Sequence, residues 1–351
     1  MDISNFEVKS LRQLVKPGVV DINTRLLWKN NGDISVLQLA IDYGDDEFID
    51  DLLLNQVDVN LNTESYGTAV HQAVSRGDLG LVKKLVNHGA DINIKSCSGD
   101  KFTALHAAVK SNQYQIAEFL IKSEADLAAR IDIGGFYKWT PLDLAIFLNK
   151  IDFVELLLKY VNFYRNLDFC HSPVYLAIRV NKIPIVKLFL DRGAKVKFLN
   201  RGSFGSCLSL TFETDNLEIF KLFLNDNENL VTTTDGDDNS LIHLAVRESS
   251  QDILGFLLKN GADINVVNKH NQTALDLALV KFSENQHGDN SRNLEIIETI
   301  LEHIVELCAA NMYLIKKNLQ AISSEEFDCY YDDCLSDVKN MKDTKIGENV
   351  D

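Results

Sequence analysis

The chain has 351 residues, 51 of them acidic and 35 basic, for a net charge of −16 and an apolar fraction of 46%. That excess of acid repels phosphate backbones and no dense Lys/Arg block offsets it, which argues against nucleic-acid binding and favours a partner face that is basic or polar. Only four prolines and no glycine-rich or serine-rich run argue against long disordered linkers.

The opening residues MDISNFEVKSLRQ lack the basic start and apolar core of a secretory leader. No stretch approaches the ~18 apolar residues of a membrane span. With no signal peptide or transmembrane segment, a cytoplasmic or nuclear location is expected. The cysteines (Cys97, Cys170, Cys207, Cys308, Cys329, Cys334) form no CxxC pair, so neither a zinc site nor a disulfide framework is expected.

Residues 1–34 contain an apolar-periodic piece (Phe6, Val8, Leu11, Leu14, Val15), then Pro17-Gly18, then VDINTRLLWKNNGD, which reads as the arm and finger of a degenerate opening repeat. Trp28 is expected to pack in that finger. From Ser35 onward one unit recurs, and it is clearest from Leu81 to Val109. Apolar residues at helical spacing (Leu81, Val82, Leu85, Val86) lead to a stop at His88-Gly89 and an extended arm, Ala90-Asp91-Ile92-Asn93. A polar loop follows, and Thr103 then caps a second helix beginning Ala104-Leu105-His106-Ala107-Ala108.

Equivalent caps stand at Ser35, Thr68, Thr103, Thr140, Ser172, Ser206, Ser240 and Thr273, separated by 33, 35, 37, 32, 34, 34 and 33 residues. In the third unit, Glu124 replaces the stop glycine and should strain that helix end. In the sixth, SCLSLTF puts Ser209 at the His position and Thr211 where alanine normally allows close helix approach, so this unit is expected to fold but to be less stable. The eighth breaks after LALVKF with the polar insertion ENQHGDNS (Glu284 to Ser291), expected to be a mobile loop.

The heptads TALHAAV (Thr103 to Val109), TPLDLAI (Thr140 to Ile146), SLIHLAV (Ser240 to Val246) and TALDLAL (Thr273 to Leu279), with NHGADIN and NGADIN, resemble the ankyrin-repeat family, whose period is about 33 residues. The resemblance implies an all-α, ankyrin-repeat solenoid of about eight helix-turn-helix repeats with finger loops, followed by C-terminal helices. The corresponding division is 1–34 as N-terminal cap or degenerate repeat, 35–302 as ankyrin repeats, and 303–351 as a C-terminal helical segment with an acidic tail. Large residues at Ala107 or Ala245 are expected to overpack the helix pair.

His71, His106 and His243 share one position of the first helix, so they read as side chains bonded across to a neighbouring finger and not as catalytic or metal groups. DGDDNS (Asp235 to Ser240) lacks the sixth-position glycine and distant bidentate Glu of a calcium loop. No GxGxxG, P-loop, HExxH or GxSxG motif occurs, so a non-catalytic protein is expected, with no cofactor and no metal. Aromatic residues gather in or beside the fingers: Tyr66, Phe102, Phe136, Tyr137, Trp139, Phe169 and Phe204. They are the expected partner-binding residues, since fingers and the concave face of a solenoid are free to bind while helix faces are committed to packing. For Phe102 and Trp139, packing against the next finger is the standing alternative.

After the repeats, HIVELCAANMYL, KNLQAI, an acidic Cys-containing segment and MKDTKIG resemble the start of the PRANC region, found after ankyrin arrays in poxvirus proteins and in related proteins of parasitoid wasps and some endosymbionts. That resemblance implies an F-box-like, host-directed substrate receptor whose C-terminal helices dock a Skp-type adaptor of a cullin ubiquitin ligase. The sequence departs from the pattern by ending at GENVD, where the family continues into its adaptor-binding helices. Residues 303–351 also read as a helical cap with a solvated acidic tail, for Glu325 to Asp351 hold nine acids against three lysines. The alternative function is a sequestering inhibitor resembling the ankyrin inhibitors of Rel-family transcription factors, without ligase recruitment.

Overall fold

The computed structural model describes residues 15, 21–27, 32–97, 99, 101–133, 137–161, 172–194, 207–226, 233–284 and 291–318. Among these are sixteen helices and two small hairpins, and the chain divides into two compact units, residues 1–165 and 166–351. Trp28 and the insertion at 285–290 lie outside the described residues.

The first unit opens with β1 (Arg25–Leu27) paired antiparallel to β2 (Asp33–Ser35), with Leu26 opposite Ile34. Both of those side chains are fully buried. Four helix pairs follow: α1 (Val36–Tyr43) with α2 (Asp46–Leu54), α3 (Ala69–Arg76) with α4 (Leu79–Asn87), α5 (Ala104–Lys110) with α6 (Tyr114–Lys122), and α7 (Pro141–Phe147) with α8 (Ile151–Leu158). A second hairpin, β3 (Ile131–Ile133) against β4 (Tyr137–Trp139), forms the finger before α7. The first helices α1, α3, α5 and α7 pack in series.

The second unit repeats the plan with α9 (Pro173–Arg179) and α10 (Ile183–Asp191), α11 (Cys207–Glu213) and α12 (Leu217–Asp226), α13 (Leu241–Glu248) and α14 (Gln251–Lys259), and α15 (Ala274–Glu284) with the long α16 (Ser291–Asn318). Its core is rich in phenylalanine. Phe189, Phe212, Phe220 and Phe223 are buried, and the Phe212 and Phe220 rings lie 5.3 Å apart. The sixth repeat does fold, and Thr211 satisfies its buried hydroxyl by donating to the Cys207 carbonyl at 2.8 Å.

Every first helix except α11, whose cap lies outside the described residues, begins at its Ser or Thr cap, and the first seven of the eight end at a residue in the left-handed conformation: Gly44, Gly77, Asn112, Asn149, Asn181, Asp215 and Ser249. The second helices end at Gly89, Gly193 and Gly261, but Gln56 and Glu124 hold the same turn with φ of 58° and 65°. Glu124 therefore carries the strain its position implied, because a β-carbon in this region costs about 1 kcal/mol. Glu124→Gly is expected to raise the urea midpoint by the equivalent of about 0.5–1 kcal/mol, and an unchanged or lower midpoint would show that the turn is unstrained.

The fifth residue after each cap sets the helix spacing. Ala40, Ala73, Ala108, Ala145, Ala177, Thr211, Ala245 and Ala278 occupy it, none more than 1% exposed. This corrects the expected pairing of Ala107 with Ala245: Ala107 is one position earlier, 8% exposed, where other repeats carry Leu39, Leu144 and Leu244.

Polar ladders join the repeats of the first unit. The amides of Asp58, Asp91 and Asp126 donate to the side-chain oxygens of Asn23, Asn60 and Asn93 at 2.8 Å each. Every such Asn is itself held by the Asp two residues before it, as Asn93 is by Asp91 at 2.8 Å. The series ends at Ala128, whose side chain can accept nothing.

Candidate protein-binding surface

The residue three after each cap decides how one repeat grips the next. His71 Nδ1 accepts from the Thr68 hydroxyl at 2.8 Å, and its Nε2 meets the Phe102 carbonyl at 2.9 Å. His106 lies 2.8 Å from the Thr103 hydroxyl and 3.3 Å from the Trp139 carbonyl. His243 lies 2.9 Å from both the Ser240 hydroxyl and the Gln272 carbonyl. A carbonyl only accepts, so Nε2 carries a hydrogen in each ring, and Nδ1 of His71 and of His243 accepts from the main-chain N–H of its own cap. Burial pushes the His71 imidazole down and the His106 imidazole down to about 4, against the carbonyls that favour the cation.

Gln38 does the same work without a ring. Its amide oxygen accepts from the Ser35 N–H at 3.0 Å and its Nε2 donates to the Gly67 carbonyl at 2.6 Å. Gly67 needs to be glycine, since its φ is 77° and a Cβ there would overlap the Ser96 side chain of the next finger. At Asp143 and Asp276 the carboxylate closes the local cap. In those repeats a lysine reaches back: Lys150 to the Val109 carbonyl at 2.7 Å, and Lys281 to the Arg247 carbonyl at 2.5 Å. These cations sit at the carbonyl ends of α5 and α13.

This bonding places the residue before each cap at the edge of the next repeat's first helix. Phe102 is half-buried, its ring stacked on His106 at 6.1 Å with Lys110 Nζ 4.6 Å from its centroid. Trp139, also half-buried, meets Phe147 edge-on at 4.6 Å, and Phe147 is 46% exposed. Tyr66 donates to Asp42 at 3.2 Å, and Asp42 lies 3.8 Å from Arg76. Burial, followed by the Asp42 charge, raises the Tyr66 hydroxyl above its ordinary value, so it stays a neutral donor. Tyr137 is a strand residue of β4. Phe136, Phe169 and Phe204 lie outside the described residues. Phe102 and Trp139 thus each combine packing against their own repeat with an open edge.

The last turns of the first helices were not singled out from sequence, yet they line the same side. Tyr43, Arg76, Lys110, Ser111, Phe147 and Leu148 are all exposed there. Lining up the repeats of this one chain shows the signal: seven and eight residues after the cap the side chain changes at every repeat, whereas five after the cap it hardly changes. Asp235, in the loop resembling a calcium site, is already occupied, accepting from the Asp237 and Asn239 amides at 2.9 Å each. Among the described residues, no group of His, Cys, Asp and Glu could hold a metal ion, and no helix is long and apolar enough to cross a membrane.

The family described as Ankyrin repeats (3 copies) matches residues 37–131 and 208–311, more than half of the chain. The chain belongs to the ankyrin-repeat family. Between the two matched stretches, α7 to α10 keep the same capped helix pairs. An ankyrin repeat protein of fowlpox virus is 33% identical over 43% of this chain and 43% of its own length. Human transient receptor potential cation channel subfamily A member 1 is 25% identical over 71% of this chain and 23% of its own. Human NF-kappa-B inhibitor zeta is 28% identical over 60% of this chain and 29% of its own. The chain therefore spans less than half the length of these relatives. A channel subunit and an inhibitor share the repeat, so the ankyrin array identifies a protein-binding module, typically non-catalytic, and not its target.

Proposed function

We propose that the chain is a non-catalytic interaction protein that holds a protein target against the fingers and first helices of residues 60–148. The observation that carries this is the row of half-open aromatic side chains, Tyr66, Phe102 and Trp139, flanked by exposed Arg76, Lys110 and Phe147: the preceding repeat's histidine side chain holds the Phe102 and Trp139 carbonyls, and Tyr66 donates to Asp42. Rigid aromatics with a polar rim are the usual anchors of protein interfaces. By likeness to a relative named as an inhibitor, the simplest use of such a surface is sequestration.

The resemblance of residues 303–347 to the PRANC region supports a second use: presenting the target to a Skp-type adaptor of a cullin ligase. Residues 303–318 continue helix α16, whose earlier turns pack on α14 and α15, so a clean comparison removes residues after Asn318. In affinity purification from insect or mammalian cells, sequestration predicts the same target with and without the tail and no adaptor. Adaptor recovered only with the tail would establish the receptor reading. Phe102→Ala with Trp139→Ala is expected to weaken target binding by about tenfold or more, while Lys83→Ala on the second-helix side leaves it unchanged. Equal effects would move the interface.

A further inference from the structure

The finger side of the first unit carries a charge that the net value of the chain conceals. Residues 60–161 hold eleven acids and eleven bases, so the excess of acid in the −16 chain lies elsewhere. Six of those bases stand on the fingers at 60–67, 93–102 and 130–139 or on α3, α5 and α7, against four acids. One of the four, Asp143, is bound to its own Thr140 cap, and among the bases Arg76 lies 3.8 Å from Asp42 of α1 and Lys138 is paired in register with Asp132.

The bases are also ordered. Lys101-Phe102 and Lys138-Trp139 precede successive caps, so the same basic and aromatic pair is presented twice, one repeat apart. Lys101 and Lys138 are exposed. Lys101 holds a left-handed φ of 54°, a cost that a side chain bears only where the surrounding finger imposes it; the Ser96 amide closes that finger onto the Phe102 carbonyl at 2.7 Å. Lys110 extends the pattern inward over the Phe102 ring.

We infer that this surface takes an extended acidic segment of a partner protein that also carries apolar or aromatic side chains. Its carboxylates meet Lys101, Lys138 and Lys110, and its apolar groups lie against Phe102, Trp139 and Phe147. The inference rests on the binding reading above and reverses the expectation of a basic partner drawn from net charge. Exposed rim charges act chiefly through long-range attraction, so the interaction weakens with salt.

The test is to pan a phage-displayed library of random peptides on the full chain, then measure the most enriched peptide by fluorescence polarisation. Acidic, aromatic-containing peptides are expected, with binding weakened about tenfold or more by Lys101→Glu with Lys138→Glu and reduced by added salt. Both lysines are exposed, so this variant should melt as the parent does. Enrichment of neutral or basic peptides would overturn the inference. So would peptides lost with Phe102→Ala and Trp139→Ala but indifferent to the lysine reversals, and that result would leave the binding reading standing. Peptides indifferent to both pairs of changes would overturn both.

Discussion

His106→Ala is expected to cost about 2–4 kcal/mol at neutral pH, because it leaves the Trp139 carbonyl without its buried partner and opens a cavity beside α5. His106→Gln is expected to stay within about 1 kcal/mol of the parent, since Gln38 already makes the same pair of bonds two repeats earlier. The two variants differ further in acid. The folded His106 imidazole titrates near 4 against an ordinary value of 6.5, so the unfolded chain takes up the proton first. Stability contributed by this ring is intact above about pH 6.5 and is lost progressively as the pH falls towards 4, by ~3 kcal/mol over the window. Gln does not titrate. Urea unfolding at pH 7.5 and pH 4.5 should show a smaller acid loss for His106→Gln than for the parent, and equal losses would mean that His106 is not neutral in the fold. Carboxylates and His71 shift both proteins alike, so the difference isolates one ring.

The second large effect contrasts neighbouring residues. Ala108→Leu is expected to destabilise by about 1–3 kcal/mol or more, since the position is fully buried where first helices meet and eight repeats place nothing larger than threonine there. Ala107→Leu should cost less than about 1 kcal/mol, because Leu39, Leu144 and Leu244 fill the equivalent site. Ala245→Leu should behave as Ala108→Leu does. Thermal melts of the three variants decide the register, and equal losses at Ala107 and Ala108 would contradict it.

The Ser and Thr caps, the helix pairs and the role of the three histidines were legible from spacing alone, because capping and helical periodicity are local and repeat at a fixed interval. The alanine register was not: TALHAAV offers two adjacent alanines, and apolar pattern cannot choose between them until positions are counted from the cap. The proposed binding surface was half legible. Tyr66, Phe102 and Trp139 stand out as aromatic residues in fingers, but Arg76, Lys110 and Phe147 belong to helices and look like ordinary helix residues until the fold turns that last turn outward. Net charge sums residues 60–161, where acids and bases balance, with acidic stretches elsewhere in the chain, so it does not report the charge of the finger side.

The histidine and glutamine bonds have one asymmetric property. Their donors are particular side chains, but their acceptors are main-chain carbonyls, at Gly67, Phe102, Trp139 and Gln272. Any residue can supply a carbonyl, so the bond itself makes no demand on the receiving side chain; Gly67 is glycine for its φ and for the Ser96 side chain beside it, not for the bond. Excising Thr68–Phe102 would leave Gly67 directly ahead of Thr103, and Gln38 would still find an oxygen to grip. Whole repeats can therefore be gained, lost or exchanged by recombination at their caps without redesigning the neighbours, which leaves finger tips and last turns free to diverge towards new targets.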